Sequence, residues 1–336
     1  MEQQIQQLFS KFGQLHILIV GDVMIDAYMW GKVDRISPEA PVPVISVSHR
    51  ENRLGGAANV ALNIQSLGAT PVMCAMIGDD AKGKVFQNLL VKRQMTGVGI
   101  LTSAHRKTTV KTRVISGNQH LLRIDDESSK PLDTELEQQF IDHSLNLMDQ
   151  FPFAAIIFED YDKGNITPRV IEQVVAKANQ LNIPTLVDPK KRNFMVYQGV
   201  TLFKPNFKEI CEGLKTDIPK GDFAALHQAA EKLRSQLRAG LIMVTLSEMG
   251  VYITSGESYF RVPAEIRDIA DVSGAGDTVI SVAACCLASG FEPRDIAAIS
   301  NLAGGLVCEK VGVVPVDKTQ LLAEAEVFFK NREKRY

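Results

Sequence analysis

Between residues 154 and 246 the chain alternates short, mainly apolar runs with helical segments. The runs are Ala154 to Phe158, Thr185 to Val187, Thr201 to Phe203 and Leu241 to Leu246, and the helices among them are Pro168 to Leu181 and Phe223 to Leu237. Strands without polar alternation must be covered on both faces, so this order points to a mostly parallel α/β sheet with helices on both sides. His16 to Val20 and Val72 to Ile77 read as further strands. Gly55 to Gly68, Gly83 to Arg93, Asp133 to Asp149, Pro293 to Glu309 and Lys318 to Lys330 read as further helices. A chain of 336 residues folded this way buries roughly 75% of its unfolded surface and needs no staple. We read residues 1–336 as one domain.

Two stretches fall outside the alternation. Residues 31–53 contain Pro38, Pro41 and Pro43 followed by Val44, Ile45 and Val47, which excludes a helix and predicts an extended strand. Residues 105–125 hold two short strands, Thr109 to Ile115 and His120 to Ile124, joined by Ser116-Gly117-Asn118-Gln119 as a hairpin turn. Together they predict a small β-sheet lid beside the main body. An exposed sheet edge is readily covered by a second copy, so a homodimer through the lid is expected.

Charge and cysteine usage narrow the function. A formal net charge of −2 and a pI near 6.3 argue against a nucleic-acid or membrane-surface partner and favour a small molecule. Cys74, Cys211, Cys285, Cys286 and Cys308 form no C-x-x-C pair, and their odd number does not suit a disulfide framework. The N-terminal segment is polar and amphipathic, and the first apolar run, Ile17 to Val20, is too short to span a bilayer. A cytoplasmic protein is the expectation. The six histidines have no metal-ligand spacing and receive no role.

In a parallel sheet the strand ends share one edge, and ligands bind there. Polar motifs follow the apolar strands here: Asp22, Glu159 to Gly164, Asp188-Pro189-Lys190, Lys204 to Glu209, Thr245 to Ser247, and Asp271-Val272-Ser273-Gly274-Ala275-Gly276-Asp277-Thr278. The last opens an apolar helix through a glycine turn, an arrangement that aims free N–H groups at an anion. A carboxylate such as Asp277 repels phosphate unless it accepts a proton, although an acidic first helical turn is an equal reading of this stretch alone. Gly55-Gly56-Ala57-Ala58-Asn59 starts another helix with small residues that permit close approach. Gly78 to Lys84 nearly spells a G-x-x-x-x-G-K phosphate loop, but Val85 stands where a Ser or Thr belongs, and a turn into the next helix is the better reading. Lysines, acids and a glycine-rich helix start on one crevice are the apparatus of phosphoryl transfer.

The two glycine motifs resemble the signatures of the ribokinase-like, PfkB-type carbohydrate kinases, and Asn206-x-x-Glu209 resembles that family's N-x-x-E motif. Gly21 to Asp26, Arg35 to Val44 and Asp160 to Gly164 further resemble its bacterial D-glycero-β-D-manno-heptose-7-phosphate kinase branch, and the likeness runs from about Leu15 to about Ala325. The resemblance implies a ribokinase-like fold and an ATP- and Mg2+-dependent transfer to the anomeric hydroxyl of the sugar phosphate. Asp277 would be the base, with Gly274, Ala275 and Gly276 binding the moving phosphoryl group. Asn206 and Glu209 would position Mg–ATP, Glu209 through metal-bound water. Thr245, Ser247, Gly250, Asn301 and Gly304 would meet the nucleotide. Asp22, Gly55, Gly56 and Asn59 would line the sugar pocket.

The substrate's own phosphate needs cations, for which Arg35, Arg113, Arg123, Lys163 and Lys190 are candidates; each reads equally well as a solvated surface charge. Ser273 replaces the common threonine and keeps the hydroxyl. Glu159 stands where the heptose branch carries serine, which puts substrate contacts near it in question. The branch is often fused to an adenylyltransferase, whose H-x-G-H is not found here, so that activity is not expected from these residues. A kinase of another sugar phosphate, or a sensor without turnover, remains open at this stage.

Overall fold

The structure is a computed structural model that describes residues 2–117, 119–256 and 258–333. Asn118 of the expected hairpin turn lies outside the described residues, as do Met1, Glu257 and residues 334–336. In chain order the elements begin with α1 (Glu2–Lys11), β1 (His16–Gly21), β2 (Val23–Ile36), β3 (Pro43–Gly56), α2 (Ala57–Ser66), β4 (Thr70–Gly78) and α3 (Ala81–Lys92). There follow β5 (Ile100–Ser103), β6 (Val110–Ser116), β7 (Gln119–Asp126), α4 (Thr134–Gln150), β8 (Phe153–Glu159), α5 (Pro168–Gln180) and β9 (Thr185–Asp188). The remainder is β10 (Leu202–Phe203), α6 (Phe207–Leu214), α7 (Phe223–Leu237), β11 (Leu241–Thr245), β12 (Val251–Thr254), β13 (Tyr259–Val262), α8 (Ala275–Ser289), α9 (Pro293–Cys308) and α10 (Lys318–Glu333).

The large sheet has the order β13-β12-β11-β10-β9-β8-β1-β4-β5, parallel except at the β11–β12 and β12–β13 pairings. Its central strands are apolar on both sides because both are covered. Ile17 and Ile19 of β1 face a core shared with α2, α8 and α9, while Leu18 and Val20 face a core shared with α4, α5 and α7. The order reverses at β1, whose neighbours β8 and β4 lead to opposite edges. Ligands in open α/β sheets bind outside the strand ends at such a reversal.

A second, four-stranded sheet has the order β3-β2-β6-β7. Its strands reach further than the expected segments 31–53 and 105–125. β2 follows β1 after a single residue, Asp22, and is buried from Val23 to Tyr28 before it emerges into solvent. Only its outer half looks different from the main body in composition, so the inner half escaped the pattern. Two short elements also escaped it, β5 and α6. No helix of the described residues is long and apolar enough to cross a membrane.

Candidate active site

The glycine turn lies where α8 begins. Gly274 is the residue before the helix, with φ of 80°, and no side chain caps the helix start. A Cβ on Gly274 would fall 2.9 Å from Asn59 Nδ2 and 3.0 Å from Val313 Cγ1, so both its backbone angle and its space require glycine. Gly274, Ala275 and Gly276 are partly open to solvent, while Asp277 behind them is buried. The apolar body of α8 packs against α2 and α9 and fixes that first turn at the crevice.

Both oxygens of Asp277 receive donors. Asn59 Nδ2 donates to Oδ2 at 2.7 Å and the Tyr161 hydroxyl donates to Oδ1 at 2.9 Å. Burial pushes the Asp277 carboxyl up to about 6, with the Asn59 bond opposing the rise and the Asp188 charge adding to it. Asn59 Oδ1 is buried without a hydrogen-bond partner. Tyr161 was not among the expected site residues. Its ring lies beneath two ammonium groups, Lys111 at 5.6 Å and Lys190 at 5.4 Å.

Asp22 departs from its expected role. Instead of facing a sugar, its carboxylate accepts backbone N–H bonds from Tyr161 and Lys163 at 3.0 Å and from Asn165 at 3.1 Å. It therefore ties down the loop that carries Tyr161. Gly55 and Gly56 are likewise explained by the protein itself. A Cβ on Gly55 would lie 2.3 Å from Asp26 Oδ2, and one on Gly56, whose φ is 60°, would lie 2.5 Å from the Asp22 carbonyl oxygen.

Acids and lysines crowd the neighbouring strand ends. Glu159 and Asp188 stand opposite each other at the ends of β8 and β9. With Asp277 they place three carboxylate oxygens within 4.8 Å of one another. Lys204 donates to Asp188 Oδ2 at 2.8 Å, and a Cβ on Gly276 would be 3.5 Å from that carboxylate and 3.7 Å from the ammonium. This buried Lys204–Asp188 pair thus borders the glycine turn. Both residues sit in strand-end motifs visible in the sequence, but burial made neither stand out.

Asn206 and Glu209 form a capping box on α6: Asn206 Oδ1 accepts from the Glu209 N–H at 2.9 Å, and Glu209 Oε2 accepts from the Asn206 N–H at 2.8 Å. The N-x-x-E spacing therefore has a helix-starting job of its own. Glu209 Oε1 accepts from Lys190 at 3.1 Å. Thr245 bridges to Asn206 at the end of β11, Ser247 has φ of 52° in the turn that follows, and Gly250 has no room for a side chain, with Val262 O at 2.0 Å from its would-be Cβ. Asn301 donates to Pro263 O at 2.9 Å, and a Cβ on Gly304 would lie 3.0 Å from Val279 Cγ2 on α8. Gly304 thus permits close packing of α9 on α8.

The candidate phosphate-binding cations divide. Arg113 pairs with Asp26, Arg123 with Asp125 at 2.9 Å, Lys163 with Glu127 at 2.8 Å and Lys190 with Glu209. Arg113 and Arg123 stand directly opposite each other on one face of the small sheet. Arg35 is not brought to the site. It is exposed near the outer end of β2, on the order of 40 Å of extended strand from Asp22.

The chain belongs to the pfkB family of carbohydrate kinases, whose sequence pattern matches residues 14–319. Among curated proteins it is similar to the bifunctional protein HldE of Trichlorobacter lovleyi, 37% identical over 342 residues covering 98% of this chain and 68% of that protein. The bifunctional protein HldE of Geotalea uraniireducens is 37% identical over 324 residues, covering 96% and 65% respectively. The chain thus spans about two thirds of the length of these relatives. Its fold is the ribokinase-like α/β fold: phosphofructokinase-2 from Escherichia coli in complex with potassium superposes with a TM-score of 0.76 at 17% identity, covering 94% of this chain and 99% of that one. Arabidopsis thaliana ribokinase complexed with ribose and ATP gives 0.72 at 16% identity, covering 92% and 98%.

Proposed function

We propose that this chain is an ATP-dependent kinase that phosphorylates D-glycero-β-D-manno-heptose 7-phosphate at its anomeric hydroxyl. The product would be heptose 1,7-bisphosphate, on the route to ADP-heptose and the lipopolysaccharide core. The observation that carries the phosphoryl-transfer reading is Asp277, a buried carboxylate on the first turn of α8, held from two sides by Asn59 and Tyr161. Family membership and the heptose-branch resemblance of Arg35 to Val44 and Asp160 to Gly164 support the choice of sugar.

In this reading Asp277 takes the proton of the acceptor hydroxyl, and its two held oxygens keep it aimed. Asn59 Oδ1, free of protein partners, accepts from a sugar hydroxyl. The N–H groups of Gly274, Ala275 and Gly276 receive the negative charge of the moving phosphoryl group, and Lys204 adds positive charge beside them. Bound Mg–ATP supplies the phosphoryl group, with charge screening by the cation. The carboxylate of Glu209 offers the oxygen donors that Mg2+ prefers. Asn206 and Glu209 would hold Mg–ATP, Glu209 through water. Arg113, Arg123 and Lys163 exchange their acid partners for the sugar's own phosphate.

The small sheet serves assembly. Among the described residues β7 is exposed along its whole length and carries Leu122 at 58% and Ile124 at 47% exposure, a face suited to a second copy of this chain. The function is tested by coupled ADP release on a panel of sugar phosphates. Preference for heptose 7-phosphate is expected. Preference for a hexose phosphate would overturn the sugar, and ADP release with none of them would indicate a sensor.

A further inference from the structure

Glu159 is the residue the kinase reading leaves without a task. It is fully buried at the end of β8, and neither of its carboxylate oxygens has a hydrogen-bond partner. A buried carboxylate left unpaired is costly, so such a group is compensated by a proton or by a cation. Lys204 and Lys190 lend positive charge nearby, but they are paired with Asp188 at 2.8 Å and Glu209 at 3.1 Å and neither bonds Glu159. A proton on Glu159 would make one oxygen a donor and leave the other without a partner. A cation held by both oxygens satisfies the whole group.

The surroundings complete a ligand set. Glu159, Asp188 and Asp277 each offer an oxygen within 4.8 Å of the other two, all three residues being buried. Oxygens around Mg2+ lie about 2.0 to 2.1 Å from it and so at most about 4.2 Å from each other, a spacing inside that limit. Each Asp277 oxygen accepts from one neighbouring side chain, Asn59 or Tyr161, and a carboxylate oxygen has a second lone pair to give. The three acids come from β8, β9 and α8, so the fold and not a flexible loop sets their spacing.

We infer that Glu159, Asp188 and Asp277 bind one divalent cation of the Mg2+ or Mn2+ class by direct carboxylate ligation, in the protein free of nucleotide and sugar. This site is separate from the water-mediated one at Glu209, whose two oxygens are taken up by the α6 cap and Lys190. It deepens the kinase reading, because Asp277 is shared, but rests on geometry that holds whether or not the chain turns over a sugar.

The test is a titration of the full chain, stripped with chelator, with Mn2+ alone, followed by the electron paramagnetic resonance signal of free Mn2+ and by competition with Mg2+. One Mn2+ per chain is expected. Glu159→Gln is expected to weaken it at least about ten-fold, and Glu159→Ser to do the same, with circular dichroism confirming that both variants fold. Glu209→Gln should leave this binding unchanged. The inference is overturned if the wild-type chain binds Mn2+ only with nucleotide present, if both Glu159 variants retain wild-type affinity, or if Glu209→Gln alone abolishes binding. Sugar-phosphate turnover is measured separately, so failure of the kinase reading and failure of this site give different results.

Discussion

Asp277 shows what one residue's surroundings do to its chemistry. A helix-start carboxylate in water would be ionised far below neutral pH, and burial moves this one up to about 6. A general base works only when ionised. The rate constant kcat, which reports the complex with nucleotide and sugar bound, is therefore expected to fall as pH drops below about 6, along a single-proton limb, and to level off above it. A profile flat to pH 5 would contradict this. Asp277 was legible in sequence because its motif places it on an anion-binding turn. Tyr161 was not, since an aromatic in a polar loop has no pattern of its own. Its position depends on Asp22, which seizes the loop backbone from a distant part of the chain.

Among the elements, those with a clear period could be read and those defined by contact could not. The apolar run of α8 and the strands of the main sheet announce themselves, because burial on all sides leaves few polar positions. The inner half of β2 reads as an extension of β1, and α6 is only eight residues long. The N-x-x-E motif was read through resemblance, whereas its local work is to cap α6. The α8 turn provides a test at this scale. Gly274→Ala forces a left-handed backbone on a residue with Cβ and drives that Cβ toward Asn59. A loss of about 1 to 2 kcal/mol in urea unfolding is expected, together with a fall in kcat through the displaced Asn59. Unchanged stability and rate would show that the turn tolerates a side chain.

For the whole molecule, strand order explains why residues from Asp22 to Asp277 meet. β1 lies where the sheet reverses, so β8, β9 and the start of α8 deliver Tyr161, Glu159, Asp188 and Asp277 to one crevice. The linear sequence suggested that convergence through its strand-end polar motifs, but could not say which lysines would be consumed in ion pairs. Arg35 illustrates the limit: motif membership singled it out, yet β2 carries it away from the crevice. The exposed β7 gives the whole-molecule prediction. Light scattering should show twice the 36.9 kDa chain mass at micromolar concentration, and Leu122→Lys should shift the mass toward one chain. A wild-type monomer would remove the lid-mediated dimer.

The central claim is that Asp277 is the base of a phosphoryl transfer to a sugar. It is tested most directly by kcat of Asp277→Asn with saturating ATP and heptose 7-phosphate, alongside ATP affinity measured by calorimetry. A fall of roughly 10²-fold to 10⁴-fold with nucleotide binding kept is the predicted result. A near-normal kcat would contradict it.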